Sequence, residues 1–170
     1  MIRLFIAVVT TIFLTSSCQH CYRKDRDLKS ALFEQALQYA EGHLSKNGIL
    51  FQQPDGYAYI KVDDDYIHKL FPLLHTNTFE KPPYFRRADS PGAHISVIYE
   101  DEHQKLHEVG TRFSFTLKDI VEVHPKAGLS FIVLQVSSPE LESLRKKYGL
   151  SPLLKGHEFH ITLAKIKPKP

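Results

Sequence analysis

Two tetrapeptides far apart in the chain repeat one pattern: His94-Ile95-Ser96-Val97 and His160-Ile161-Thr162-Leu163. Each reads histidine, aliphatic, hydroxyl, aliphatic, the alternation of a half-buried strand. Successive side chains in a strand point to opposite faces. His94 and Ser96 therefore share one face, roughly 6.5–7 Å apart, and Ile95 and Val97 the other. The same holds for His160 and Thr162 against Ile161 and Leu163. Each strand buries its aliphatics and presents an imidazole beside a hydroxyl. Histidine, any residue, then Ser or Thr is by itself a cheap pattern. His43-Leu44-Ser45 also matches, inside a helical stretch where that spacing defines no common face. Strand context and the aliphatic fourth position set the other two apart. Read from residues alone, the pair is either a functional pair or two histidines packed on half-buried faces.

The rest of the chain bounds what such strands can belong to. At 170 residues it has the length of about one domain. Its 42% apolar and 24% charged residues are ordinary for a globular fold and exclude a disordered chain or a collagen. No repeat period or low-complexity tract points to a solenoid. The net charge of +3 permits an anionic partner without requiring one.

Residues 1–17 read as a secretory signal: Arg3, an apolar run over 4–14, then Thr15, Ser16 and Ser17 as the small residues of a cleavage site. The run is about half the length that spans a bilayer. The expectation is an exported protein, periplasmic, secreted or lipid-anchored. Cys18 at the first mature position offers a lipidation site and a membrane tether, although Leu14 stands four residues before it rather than three. Cys18 and Cys21 are the only cysteines, and one Cys-x-x-Cys pair with no second ligand pair is weak evidence for redox or zinc chemistry. Residues 18–27 read as a short linker and 28–168 as the folded domain.

Within that domain, Leu28, Leu32, Ala36, Ala40 and Leu44 predict a helix over 27–46 that Asn47-Gly48 ends. Strands follow at 49–52 and 57–62 around the turn at Pro54-Asp55-Gly56. Asp63, Asp64 and Asp65 read as the start of a short helix ending at 74, not as a metal cluster. A loop over 75–93 leads to the strand at 94–99. Two strands, or one broken near Lys118, cover 111–123, and the apolar run 129–136 is a buried central strand. Ser138-Pro139-Glu140 opens a helix that stops at Gly149, and 158–166 is the last strand. The order is α+β with mainly antiparallel sheet, its connections too short for a doubly wound fold.

The two motifs resemble the signature of the two-histidine (2H) phosphoesterase superfamily, the RNA ligase/cyclic phosphodiesterase-like proteins. Further likeness runs from Leu129-Ser130-Phe131 through Gln135-Val136, Ser138-Pro139-Glu140-Leu141, Leu144-Arg145 and Gly149-Leu150 to His160. The Gly56-Tyr57-Ala58-Tyr59 region through Leu74, and the stretch before His94, are similar to an RNA-repair-like subgroup. The resemblance covers most of 28–168 and is strongest from 92 to 166. It implies a bilobal fold, each lobe giving one motif strand to a central cleft. It also implies a metal-independent phosphoesterase that opens a cyclic phosphodiester, such as a 2′,3′-cyclic phosphate RNA end or a cyclic nucleotide. The chemistry suits the residues: in-line opening needs a base on the attacking water and an acid on the leaving oxygen, and imidazole serves as either near neutral pH. His94 and His160 would be that pair, in an order the sequence leaves open. Ser96 and Thr162 would hydrogen-bond the non-bridging oxygens. No cofactor is required, and a monomer is expected.

Secondary candidates surround these four. Tyr57, Tyr59 and Lys61 share a strand face, so Tyr59 and Lys61 could reach a cleft. Tyr84, Phe85, Arg86 and Arg87 combine aromatic surface with guanidinium, a mixture suited to bases and phosphates. Lys155 could supply a further cation. His157-Glu158-Phe159-His160 is not a zinc motif: its histidines lie three apart in a strand and face opposite ways. The competing reading is a non-catalytic module that binds phosphate-bearing or nucleotide ligands in the same cleft.

Overall fold

A computed structural model of the chain describes residues 13–74, 78–85 and 90–166, with side chains from 27 onward. Residues 1–12, most of the expected signal, and Arg86 lie outside the described residues, as does the side chain of Cys18. Helix α1 (Phe13–His43) begins well before the expected start at 27 and takes in the residues read as a linker. No glycine or proline occurs between 13 and 27, so nothing there breaks a helix. Its apolar stripe enters the core only at Ala36, Ala40 and Leu44; Leu28 is 60% exposed rather than buried. Among the described residues no helix is long and apolar enough to cross a membrane.

After α1 come β1 (Asn47–Gln52), β2 (Ala58–Lys61), two one-turn helices α2 (Asp65–His68) and α3 (Leu70–Leu73), β3 (Phe79–Glu80) and a 3-10 turn, Pro83–Phe85. The first motif strand β4 (His94–Ile98) follows, then a second 3-10 turn, Glu100–Glu102, β5 (Arg112–Ser114), β6 (Thr116–Lys126), β7 (Leu129–Ser137), α4 (Pro139–Lys147) and the second motif strand β8 (Phe159–Ile166). The strand ends at Phe115, where the chain leaves β1 as partner and takes up β7, and the β6–β7 register then shifts between Leu117 and Ile120, around the expected break near Lys118. Ser138 caps α4 as its sequence predicts: its Oγ accepts from the Leu141 N–H and donates to the Ser114 carbonyl.

All pairings are antiparallel, and the strands form one curled sheet in the order β5-β1-β2-β4-β8-β7-β6, with β3 on β8. The architecture is the expected α+β. The two halves, β5-β1-β2-β4 and β8-β7-β6, join along the motif strands, where Ile95 pairs with Ile161. One sheet face carries Ile60, Ile95, Ile161 and Leu134, all fully buried in a cluster that includes Ala36 and Ala40 of α1 and Leu141 and Leu144 of α4. Helices thus cover the aliphatic face, and that burial leaves the motif histidines and hydroxyls on the opposite face.

Candidate active site

The β4–β8 register decides how the two motifs meet. With Ile95 opposite Ile161, antiparallel pairing carries His94 toward Thr162 and Ser96 toward His160. The four polar side chains share the face opposite the buried isoleucines and form a square, with each histidine beside the other motif's hydroxyl. The histidines occupy one diagonal, and diagonal neighbours of an antiparallel pair stand roughly 7–8 Å apart. Neighbouring strands extend both rows. Lys61 pairs with His94 and Tyr59 with Ser96 on one side; Val133 pairs with Thr162 and Gln135 with His160 on the other. His94, Ser96, His160 and Thr162 all line a cavity of about 930 Å³.

The two motifs repeat in hydrogen bonding as well as in sequence. His94 Nδ1 donates to the Gly92 carbonyl at 2.8 Å, and His160 Nδ1 donates to the Glu158 carbonyl at 2.9 Å. Each imidazole is fixed by the carbonyl two residues before it. That bond puts the proton on Nδ1 and leaves Nε2 for the cleft. Each hydroxyl is paired with a tyrosine: Ser96 Oγ shares a 2.6 Å hydrogen bond with the Tyr57 hydroxyl, and Tyr84 hydrogen-bonds Thr162. Burial pushes both tyrosine hydroxyls above their ordinary range, so they stay neutral donors.

Electrostatically the histidines differ. His94 is only 8% exposed, and burial lowers its proton affinity; the Gly92 carbonyl raises it, while Lys61 and His160 lower it further. His160 is half-buried. A neutral imidazole near neutral pH is therefore the state favoured at His94.

The secondary candidates divide. Tyr84 lines the cavity with its ring edge-on to His94 at 4.7 Å. Tyr59 has its ring 5.6 Å from that of His94 but does not line the cavity, and it hydrogen-bonds Gln53. Lys61 sits beside His94 but is ion-paired with Asp64. Phe85 turns away to pack by His68 and the core. Lys155 is held by Asp101 at 2.7 Å, over the Tyr99 ring, and does not line the cavity. Sequence reasoning placed Tyr57 on the right face but did not select it, and it missed Tyr99 and Gln135, which line the cavity. The alternation at 57, 59 and 61 could have found Tyr57; Gln135 needs the β7–β8 register, which no local pattern encodes. Among the described residues no group of histidines, cysteines and acids could hold a metal ion.

Two strands related by sequence, by histidine orientation and by hydroxyl partner thus face one cavity. A family model described as Swiss Army Knife, 2H phosphoesterase domain, matches residues 58–169, from β2 past the end of β8. The chain belongs to the 2H phosphoesterase family and is a phosphoesterase, a hydrolase. No curated protein and no solved structure matches it.

Proposed function

We propose that the protein hydrolyses a cyclic phosphodiester, a 2′,3′-cyclic phosphate at an RNA end or in a nucleotide, with His94 and His160 as base and acid. The observation that supports this most is the diagonal arrangement of the two imidazoles on one cavity wall, each with Nε2 free for the cleft. Water attacks phosphorus as His94 Nε2 takes its proton. The P–O bond of the ring breaks on the far side as protonated His160 gives a proton to the leaving oxygen. One P–O bond forms, one breaks, and the next turnover starts once the protons re-equilibrate with solvent. The Ser96 and Thr162 hydroxyls, each oriented by a tyrosine, donate to the non-bridging oxygens as negative charge builds there. Tyr57 and Tyr99 on the β2 side, with ring centroids 6.2 Å apart, offer a wall for a base.

The test is hydrolysis of 2′,3′-cyclic nucleotides in the presence of a chelator. Wild type is expected to turn over, and His94→Ala and His160→Ala each to lose about 10²–10⁴-fold in kcat. A wild type that binds these diesters but hydrolyses none would replace the enzyme by a phosphate- or nucleotide-binding module using the same cleft. Export, with a tether through Cys18, belongs to the same proposal and rests on residues 1–18. The intact mass of the protein from cells checks it: a chain beginning at Cys18 with added acyl mass is expected, and an unprocessed Met1 terminus would refute it. Scavenging or degrading RNA ends suits an exported enzyme better than repair does.

A further inference from the structure

The histidines are alike in their carbonyl contacts, yet only one contact continues to a charge. The carbonyl that accepts from His94 Nδ1 belongs to the Gly92–Ala93 peptide group, and the N–H of that same group donates to Asp64 Oδ1 at 2.8 Å. Asp64 also receives Lys61 Nζ, and Lys61 is the cross-strand neighbour of His94. The peptide groups on either side of it are held by Gly92 N–H to the Tyr84 carbonyl and Val62 N–H to the Ala93 carbonyl, both 3.1 Å. Gly92 has φ +63°, and a Cβ there would overlap both Asp64 Oδ1 and Lys61 Nζ. Only glycine lets the carboxylate and ammonium lie against this turn.

From this geometry we propose that Asp64 is a positioning residue that makes His94 the base, acting through the Gly92–Ala93 peptide group, with Lys61 as the opposing charge. The proposal rests on the paired-histidine reading above and adds the origin of its asymmetry. A carboxylate accepting from an amide N–H polarises the amide and strengthens the hydrogen bond its carbonyl accepts. The Nδ1–H is held more firmly and Nε2 becomes more basic, as when a carboxylate bonds imidazole directly. This counters the burial that pushes His94 down, so the ring stays a usable base rather than an inert one. Lys61 acts in the opposite sense, and Asp64 cancels part of its field. Burial works against ionising Asp64, but its bonds from Lys61 and the Ala93 N–H win and hold its carboxyl below the usual range, so it is charged throughout the working pH range. His160 has no such link: its acceptor peptide, Glu158–Phe159, lies in β8 against β7.

The other groups facing His94 are Tyr57 just before β2, Tyr59 in β2, Tyr84 from the turn before β4 and His160 from β8. The three tyrosines are raised by burial and stay neutral, and His68 acts on Asp64 rather than on the ring, which leaves His160 as the competing charge beside His94. Opposite-signed changes at Lys61 and Asp64 separate the relay from it.

The experiment is the NMR titration of the His94 ring, assigned by the resonance lost in His94→Gln, run with the pH profile of kcat/KM. Asp64→Asn keeps an oxygen for the Ala93 N–H but removes the charge. It is expected to lower the His94 midpoint and move the acidic limb by about half to one pH unit downward. Lys61→Met is expected to move both upward by a similar amount, with the His160 midpoint nearly still in each variant. Thermal midpoints are read alongside, because loss of fold cannot produce shifts of opposite sign. Shifts of the same sign, or none, in folded variants would overturn the relay and leave paired-histidine hydrolysis standing if His94→Ala is dead. A wild type without diesterase activity sinks the catalytic reading instead, and the ring titration still decides the relay.

Discussion

Tyr57 shows how much one hydroxyl can carry at this site. Its ring stacks between Tyr59 and Tyr99, at 5.6 and 6.2 Å, and its oxygen meets Ser96 Oγ. Removing that oxygen keeps the stack and frees Ser96 to rotate. Tyr57→Phe should therefore lower kcat about fivefold with KM nearly unchanged, since a neutral hydrogen bond contributes about 1 kcal/mol; steady-state kinetics checks the split. A rise in KM alone would mean that Tyr57 only holds the ground state. The pH profile belongs at this scale too. Burial lowers His94, so the base is neutral above its depressed midpoint. The limb of kcat/KM on the acid side should lie below the ordinary histidine value of about 6.5. A limb above that value would contradict the assignment of His94 as base. Much of this was legible in the sequence. The His-x-Ser and His-x-Thr pairs and the shared face of residues 57, 59 and 61 follow from strand periodicity. The link from Asp64 to the Ala93 N–H, across 29 positions, does not, because it depends on where a turn closes.

Between elements, the least replaceable contact is Arg145, 1% exposed on α4. Its guanidinium donates to the carbonyls of Val97 and Ser151 and to both carboxylate oxygens of Glu102. It binds the end of the first motif strand to the loop that leads toward the second. Glu102 in turn accepts the Tyr99 N–H, which fixes a cavity-lining ring. Removing one partner of a buried pair costs about 3–5 kcal/mol, so Arg145→Ala should unfold at much lower denaturant than wild type. Burial works against the Glu102 charge, but Arg145 wins and holds this carboxyl below its usual range. A depressed carboxylate stabilises the fold above its unfolded value of about 4.3 and loses that contribution as pH falls through the folded one. Acid unfolding should thus be steeper in wild type than in the double variant Arg145→Met, Glu102→Leu, measured by circular dichroism from pH 6 to 2. The cap at Ser138 and the alternation of β4 and β8 were visible from residue order alone. The upstream extension of α1 was not, because the apolar stripe that marks the helix starts only at Leu28, and helical propensity on both sides of it is similar. The switch of partner at Phe115 was equally hidden, since both sides of it alternate as strand.

Across the whole molecule, two half-sheets are joined where the motif strands pair, and each half supplies one motif histidine and one motif hydroxyl to a shared cavity. The sequence showed the two motifs and their faces; only the single registered pair Ile95–Ile161 shows that they meet, and long-range register leaves no local trace. Both isoleucines of that joint are fully buried in the core. The central claim is that both imidazoles serve one phosphorus. Titrating the protein with orthovanadate, an analogue of the pentacoordinate state, while following the His94 and His160 ring protons by NMR tests it most directly. Both resonances should move together, with one dissociation constant and one equivalent bound. Movement of one ring only, or of the two with separate constants, would show that the histidines serve different places and would contradict the account.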